Sequence, residues 1–174
     1  MSVRDFLHHS PQIDASAYVD ETALVIGEVT IGRLSSVWPM TVIRGDVNRI
    51  VIGSECNIQD GSVLHVTHKS EHRPEGNPLL LGDRVTVGHK VILHGCQIGN
   101  ECLIGMGSVI MDGVVIEDRV LVGAASLVPP GKRLEAGYLY LGNPARRVRA
   151  LSEEELTYFN YSAQHYVKLM QKYR

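Results

Sequence analysis

The sequence has little of what several large classes of protein require. It contains three cysteines in 174 residues, at irregular positions that do not form the framework of a disulfide-stapled domain. Its formal net charge of −2 gives no electrostatic reason to expect binding to nucleic acid or to a membrane surface. No stretch is apolar for long enough to span a bilayer, and no apolar run follows a basic start as in a secretory signal. These absences favour one reduced, cytoplasmic domain without a nucleic-acid or membrane partner.

What the sequence does contain is an aliphatic residue at every sixth position, often followed by glycine. With two insertions and one unit of five residues, from Leu93 to Ile98, the eighteen residues that open a unit are Ile13, Val19, Val25, Ile31, Val37, Ile43, Ile52, Ile58, Leu64, Leu81, Val87, Leu93, Ile98, Ile104, Ile110, Ile116, Val122 and Val128. A short fixed period with one aliphatic residue per unit is typical of a parallel β-helix, in which each coil buries its apolar face only by stacking on the next. The fifth position of the unit is usually small or β-branched, so both positions are expected to point inward.

Three histidines acquire a relation to one another once this period is counted. Three units make one triangular coil, so equivalent units one coil apart lie at about the 4.8 Å spacing of neighbouring strands. His65 and His94 each follow the opener of a third unit on adjacent coils, so they share a corner and can reach one metal ion. His89 lies two places after Val87 on the preceding face and should point away from that pair. It would complete the site most naturally from a neighbouring subunit.

Further polar residues lie in phase with these histidines. Arg44 stacks one coil below His65, and Asp60 stacks one coil below His89, with Gln59 beside it. Side chains of this kind are what a metal site needs to orient its ligands and its substrate. Three imidazoles with an open position are the make-up of a catalytic metal site and not of a closed structural one.

The order of these motifs resembles that of the gamma-class carbonic anhydrase family, and the resemblance covers nearly the whole chain. The motifs are Arg44-Gly45-Asp46, Asn57-Ile58-Gln59-Asp60, His65, Gly88-His89 and His94. The resemblance implies an all-β fold, a left-handed parallel β-helix of hexapeptide repeats with a C-terminal α-helix, and a homotrimer. It also implies a zinc ion, with iron or cobalt as alternatives, bound between subunits by His65 and His94 of one chain and His89 of the next. The left-handed sense comes from the resemblance alone, since parallel crossovers are right-handed as a rule.

The resemblance also implies an activity. The chain is expected to be a lyase that interconverts carbon dioxide and bicarbonate, with hydroxide bound to the metal at the trimer interface as the attacking group. Gln59 is a candidate to orient the hydroxide or the substrate, and Asp60 to fix neighbouring polar groups. Arg44 is expected to cross to an acidic partner at the interface, for which Asp60 is a candidate. Arg44 and Asp46 have a second interpretation, as an ion pair within the chain.

The segment 66–78 interrupts the repeat between two coils that carry candidate ligands. It contains His68, Glu71 and His72. A loop of this length is interpreted either as a solvated protrusion or as a relay that passes protons to bulk water, because imidazole titrates near neutrality. The best-studied enzymes of the family use an acidic loop with a glutamate shuttle. This loop is mixed in charge, so that role is not carried over to it.

The patterns divide the chain into four parts. They are a leader at 1–12, the β-helix domain with its metal site at 13–131, a connecting turn at 132–150 and a helix packed on the β-helix at 151–174. Consecutive prolines, Pro129 and Pro130, are expected to end the β-helix. Ser152 and Glu155 predict a capping box at the start of an amphipathic helix. Tyr161 in that helix belongs to a tail motif that resembles the family's, and is either a site residue or a core or interface tyrosine.

Two other functions stay open. A catalytically weak or inactive metal-binding trimeric scaffold of the same family would keep the site and lose turnover, in keeping with the absence of an acidic shuttle. A hexapeptide acyltransferase would use one unmetallated histidine as a general base, and would have no use for a chelating trio.

Overall fold

The computed structural model describes residues 3–174, which form a parallel β-helix followed by one α-helix. In chain order the strands are β1 (Val3–Arg4), β2 (Gln12–Ile13), β3 (Tyr18–Val19), β4 (Leu24–Ile31), β5 (Ser36–Val37), β6 (Val42–Ile52), β7 (Asn57–Ile58), β8 (Val63–His65), β9 (Leu79–Leu81), β10 (Thr86–Val87), β11 (Ile92–His94), β12 (Gln97–Ile98), β13 (Leu103–Ile104), β14 (Val109–Ile110), β15 (Val115–Ile116), β16 (Leu121–Val122), β17 (Leu127–Val128), β18 (Arg133–Leu134), β19 (Tyr138–Gly142) and β20 (Ala145–Ala150). The helix α1 spans Glu153–Met170. The predicted fold class, a parallel β-helix of hexapeptide repeats with a C-terminal helix, is confirmed.

The coils present three faces. The first face stacks β3, β5, β7, β10, β13, β16 and β19. The second face stacks the first halves of β4 and β6 with β8, β11, β14 and β17, and the third face stacks β2 and the second halves of β4 and β6 with β9, β12, β15 and β18. The long strands β4 and β6 run round the corner between the second and third faces, with a bulge between Gly27 and Val29 of β4. The insertion in the repeat lies in β6.

The register of the strands confirms the six-residue period. On the second face Ile43 is the partner of Leu64 and Leu64 the partner of Leu93, while on the first face Ile58 is the partner of Val87. All five side chains are fully buried. The openers therefore form continuous internal columns, in which the apolar side chains of one coil are covered by those of the next.

The cysteines belong to this core. The three cysteines all lie in the described part of the chain, and all are free and buried. Burial raises the pKa of Cys56 and that of Cys102 to about 12 each. These thiols are therefore uncharged and unreactive at neutral pH.

The β-helix continues beyond its predicted end at 131. After Pro129 and Pro130 the chain adds β18 and β19, which pair in parallel with β15 and β16, and then β20, which closes an antiparallel hairpin with β19. The prolines follow β17, the last strand of the second face, where no further coil would accept an N–H. They therefore remove no ladder hydrogen bond. The interpretation of 132–150 as a connecting turn was wrong, because this segment holds the last part of the solenoid and a hairpin.

The solenoid also begins before its predicted start. Strand β1 pairs in parallel with β4, with Val3 opposite Val25, and Val3 packs against the core. The leader predicted at 1–12 is thus part of the stack over residues 3–4 and again at Gln12. The period misses Val3 because it stands ten residues before Ile13, which is not a multiple of six.

The helix α1 packs across the first face. Its capping box is confirmed, since the Ser152 side chain accepts from the backbone of Glu155 and the Glu155 side chain accepts from the backbone of Ser152. Trp38 is 5% exposed beneath the helix, with its ring 5.6 Å from that of Tyr166 and 5.2 Å from that of Tyr173. Trp38 is thus a packing residue. Among residues 3–174, no helix combines the length and the apolar character needed to cross a membrane.

Candidate metal centre

His65 and His94 meet at the corner where the second face turns toward the third. They are directly opposite each other on β8 and β11, and Nδ1 of His65 lies 3.1 Å from Nε2 of His94. Two imidazole nitrogens bound to one tetrahedral metal at 2.0–2.1 Å stand about 3.3 Å apart. The pair is therefore spaced for a single shared ion.

A carboxylate lies against the outer nitrogen of each of these imidazoles. Nε2 of His65 is 3.0 Å from Oδ1 of Asp46, and Nδ1 of His94 is 3.1 Å from both oxygens of Asp112. A carboxylate that accepts the outer N–H leaves the inner nitrogen unprotonated. The two inner nitrogens then point lone pairs at each other, and a cation between them relieves the repulsion. The donor set thus fits a metal ion.

The charges around His65 favour the protonation state of a ligand. Burial lowers the pKa of His65 by more than the hydrogen bond to Asp46 raises it, and the nearby cation of Arg44 lowers it further. Burial alone would raise the pKa of Asp46, but hydrogen bonds from His65 and Arg44 hold that pKa below its ordinary value. A neutral imidazole backed by an ionised carboxylate is the form that binds a metal.

His89 lies at a different corner, between the first and second faces. Its side chain is 47% exposed, and its Nδ1 is 3.0 Å from Oδ2 of Asp60 on the adjacent coil. Within the single chain, residues 3–174 hold no cluster of three or more His, Cys, Asp or Glu side chains suited to a metal. The structure therefore brings His65 and His94 together and leaves His89 apart from them, with its Nε2 turned away from Asp60.

Arg44 pairs with Asp46 of the same chain through its Nη1 and Oδ2 of the carboxylate. In the single chain, Arg44 and Asp46 therefore form the ion pair that was one of the two interpretations of these residues. Asp46 in turn contacts His65, so Arg44, Asp46 and His65 form one chain of contacts that ends at the histidine pair.

Gln59 belongs to a buried polar network under the helix. Its Nε2 donates to Asn57 Oδ1 at 2.9 Å, the Asn57 amide donates to Thr86 Oγ1 at 2.9 Å, and Thr86 meets Ser162 of α1 at 3.0 Å. Gln59 and His89 both line a cleft of about 430 Å³ between the first face and α1. Gln59 therefore lies beside His89 and not beside His65.

Tyr161 lies on the outer side of α1 and is 62% exposed. Its ring stacks on that of His165 at 6.2 Å and lies 5.7 Å from that of Tyr158. In the single chain it is a surface residue, so the interpretation of Tyr161 as a core tyrosine does not fit.

The segment 66–78 forms a narrow antiparallel protrusion. Thr67 bridges to Asn77 at its base, and Ser70 bridges to Arg73 near its tip. Its exposed side chains include His68, Glu71 and His72. The base is ordered, because the Asn48 amide donates to two backbone carbonyls of the protrusion at 3.0 Å each.

Sequence reasoning missed Asp112, which contacts both His94 and the base of this protrusion. Its only signal was its place in the stack: Leu93 is opposite Ile110, so His94 is level with Met111 one coil on, and Asp112 is the next residue. That count places the two residues near each other but does not give the direction of either side chain.

Comparison with known proteins gives the chain a set of relatives. A family model described as bacterial transferase hexapeptide (six repeats) matches residues 95–130. The chain is 55% identical over 163 residues to Protein YrdA of Escherichia coli (strain K12), covering 94% of this chain and 89% of that protein. It is 44% identical over 165 residues to the carbonic anhydrase of Geobacillus kaustophilus, and the match covers 95% of this chain and 87% of that protein. It is 44% identical over 162 residues to gamma carbonic anhydrase 1, mitochondrial, of Arabidopsis thaliana, and the match covers 93% of this chain and 58% of that protein.

A solved structure has the same architecture over its full length. A hexapeptide transferase family protein from Anaplasma phagocytophilum matches with a TM-score of 0.90 and 38% identity, covering 99% of this chain and 98% of that one. The repeat, the C-terminal helix and their arrangement are thus shared with an experimentally determined fold.

Proposed function

The chain belongs to the gamma-class carbonic anhydrase family, and from this membership we propose that it is a metal-dependent enzyme converting carbon dioxide and water reversibly into bicarbonate and a proton. The observation that carries the proposal is the histidine pair, whose facing nitrogens lie 3.1 Å apart. His65 and His94 are each backed by a carboxylate, as metal-binding imidazoles usually are. Relatives named carbonic anhydrase match over most of the chain and support the same activity.

The working unit in this proposal is a homotrimer with its metal between subunits. One chain offers two converging imidazoles, whereas a catalytic metal usually has three protein ligands. His89 of the neighbouring subunit is the third, because Asp60 holds its Nδ1 and leaves its Nε2 for the ion. Gln59, which lines the same cleft as His89, then lies at the shared site and orients the substrate through its amide.

The outer surface of the second face supports such an assembly. Its outward positions are aliphatic on six successive strands and in register: Leu24, Val42, Val63, Ile92, Val109 and Leu127. Val63 is 39% exposed and Ile92 is 42% exposed in the single chain. The other four are half-buried, and a continuous apolar ladder on an outer surface has the character of a subunit interface. This ladder runs between the two corners that hold His65, His94 and His89.

The bound metal is zinc, or iron or cobalt, in this proposal, because imidazole ligands suit all three. When bound, it supplies the Lewis acidity that makes water a nucleophile near neutral pH. The chain's own residues set the site: Asp46, itself held by Arg44, orients His65, and Asp60 orients His89.

Tyr161 is exposed on α1 and is available to the site of a neighbouring subunit. The free buried cysteines fit a reducing compartment, the cytoplasm.

The second candidate is a trimeric metal-binding scaffold with little turnover. The protrusion 66–78 carries charges of both signs. It has two glutamates, and one of them, Glu75, is paired with Lys69 at 3.3 Å. This favours the scaffold, since a cluster of free carboxylates for proton transfer is missing from the segment. The acyltransferase has weaker support, in the His89–Asp60 pair beside the cleft.

The experiment that tests the proposal is stopped-flow hydration of carbon dioxide with metal quantified in the same sample. Protein is purified anaerobically and measured before and after reconstitution with zinc or iron. We expect turnover to follow metal content and to disappear in His94→Ala. His72→Ala, which changes an exposed histidine of the protrusion, is the matched control and should keep its metal. A fully metallated trimer without turnover would support the scaffold and reject the enzyme.

A further inference from the structure

Asp112 joins two parts of the molecule that are distant in sequence. It follows β14, and its Oδ1 accepts hydrogen bonds from the Thr67 hydroxyl and, at 3.1 Å, from the Asn77 amide. These two residues face each other at the base of the protrusion 66–78. The same carboxylate lies 3.1 Å from Nδ1 of His94 through each of its oxygens. One side chain therefore contacts the histidine pair and the root of the protrusion.

These contacts restrict the imidazole of His94. Thr67 and Asn77 donate to Asp112, which fixes the position of its carboxylate. The carboxylate accepts the N–H on Nδ1 of His94, so the lone pair of His94 lies on Nε2, toward His65. Rotating the ring or moving its proton would cost the hydrogen bond to Asp112. On the other side of the pair, Arg44 holds Asp46 in the same way.

We propose that Asp112 is a positioning residue, which orients His94 for the metal and couples that ligand to the base of the protrusion. The inference rests on the proposed role of His94 as a ligand. The inference also gives Thr67 a role. Thr67 donates a hydrogen bond to Asp112 and makes none to His65 or His94. Removing the Thr67 hydroxyl takes away one of the two donors that hold the carboxylate and loosens the ligand, so a residue of the protrusion controls metal affinity.

The first test measures the zinc dissociation constant of the purified full-length protein by competition with a chelator. Asp112→Asn keeps the size of the side chain but removes its charge and places an amide against the donors of Thr67 and Asn77. We expect zinc affinity to fall by about 10- to 100-fold, the usual effect of removing a partner of a metal-binding imidazole. Asp118→Asn is the matched control, since Asp118 accepts at 2.7 Å from the backbone of Asn100 one coil below, on a corner without histidine. It should leave zinc affinity unchanged.

The second test uses Thr67, and it still decides the matter if Asp112→Asn fails to fold. Thr67→Val should weaken zinc binding several-fold, and Thr67→Ser, which restores the hydroxyl, should return it to the wild-type value. Ser70→Ala changes another hydroxyl of the same protrusion, one that accepts only from the backbone of Arg73, and should have no effect on zinc. A purely structural role for Thr67 would lower the unfolding temperature of Thr67→Val while leaving its zinc affinity intact.

The outcomes separate this inference from the proposed function. If His94→Ala loses zinc while Asp112→Asn and Thr67→Val bind it as tightly as wild type, the positioning role is wrong and the ligand assignment stands. If His94→Ala itself retains stoichiometric zinc, the ligand assignment fails and the inference fails with it. Weakened zinc binding in Asp112→Asn and Thr67→Val, with recovery in Thr67→Ser, would support the coupling.

Discussion

The corner that holds His65 and His94 is more enclosed than the corner that holds His89. Their side chains are 19% and 35% exposed, against 47% for His89. At the enclosed corner two imidazoles face each other across 3.1 Å, and at the open one a single imidazole rests on Asp60. Each chain thus carries two unequal parts of one proposed site. In the proposed trimer, these parts are completed by association of chains and not by folding of one.

The second face separates the two corners, and its outer ladder of aliphatic residues is what would bring them together. The third face offers a contrast, since its outward positions include Gln12, Thr30, Gln97 and Arg133 along with aliphatic residues. Polar side chains there are compatible with solvent. The composition of the two faces therefore predicts which one is buried by a partner.

The largest expected effect comes from breaking the contact between chains. Ile92→Asp places a carboxylate in the middle of the ladder, where burial without a partner would cost several kcal/mol. We expect the variant to sediment as a monomer and to lose its metal, although no histidine is changed. Val115→Asp, on an outward position of the third face, is the control and should remain a trimer. An Ile92→Asp trimer with full metal content would contradict the proposed interface.

The next effect distinguishes the two corners directly. His89→Ala and His94→Ala should each lose bound metal, since each leaves the proposed site one ligand short. Co-expressed in equal amounts, they should recover metal in mixed trimers, because an interface with the histidine pair from one variant and His89 from the other is intact. Random assembly of a cyclic trimer makes about a quarter of the interfaces intact. Metal content near zero in the mixture would mean that all ligands come from one chain.

The smallest effect concerns the polar network beneath the helix. Thr86→Val leaves Asn57 and Ser162 without their shared hydroxyl partner, and we expect a loss of about 1–3 kcal/mol in the free energy of unfolding. Zinc affinity should be unchanged, because the hydrogen bonds of Thr86 run to Asn57 and Ser162 and to none of the three histidines. The measurement is urea unfolding of the metal-free protein. Thr30→Val, at an exposed position of the third face, should change stability by less than about 0.5 kcal/mol. Equal losses of unfolding free energy in Thr86→Val and Thr30→Val would mean that the network does not stabilise the fold.

The period of six was sufficient to predict how the coils stack. It places Leu64 opposite Leu93, and therefore His65 opposite His94, and the register of β8 and β11 agrees. It failed at both ends of the solenoid for physical reasons. Val3 lies out of phase with Ile13, and the last coil follows two prolines that are harmless at an edge.

The polar contacts of the site were less predictable than its histidines. A repeat reports the level of a residue in the stack, but hydrogen bonds depend on rotamers and on loops that have no period. Asp112 was missed because two of its donors, Thr67 and Asn77, come from the aperiodic protrusion. The sequence is compatible both with the ion pair of Arg44 and Asp46 and with a contact of Arg44 between subunits, because it does not report which charges a neighbouring subunit presents.

The ends of the solenoid determine the direction in which it can associate. A stack of parallel strands exposes unpaired backbone groups at its last coil, and such an edge is a template on which another chain can add strands. Here the antiparallel strand β20 covers the edge of the first face, and prolines follow the last strand of the second. These two features disfavour end-to-end growth at two of the three edges of the last coil, and leave β18 as the edge of the third face. In the proposed trimer, copies of the chain meet side by side, through an association that closes on itself.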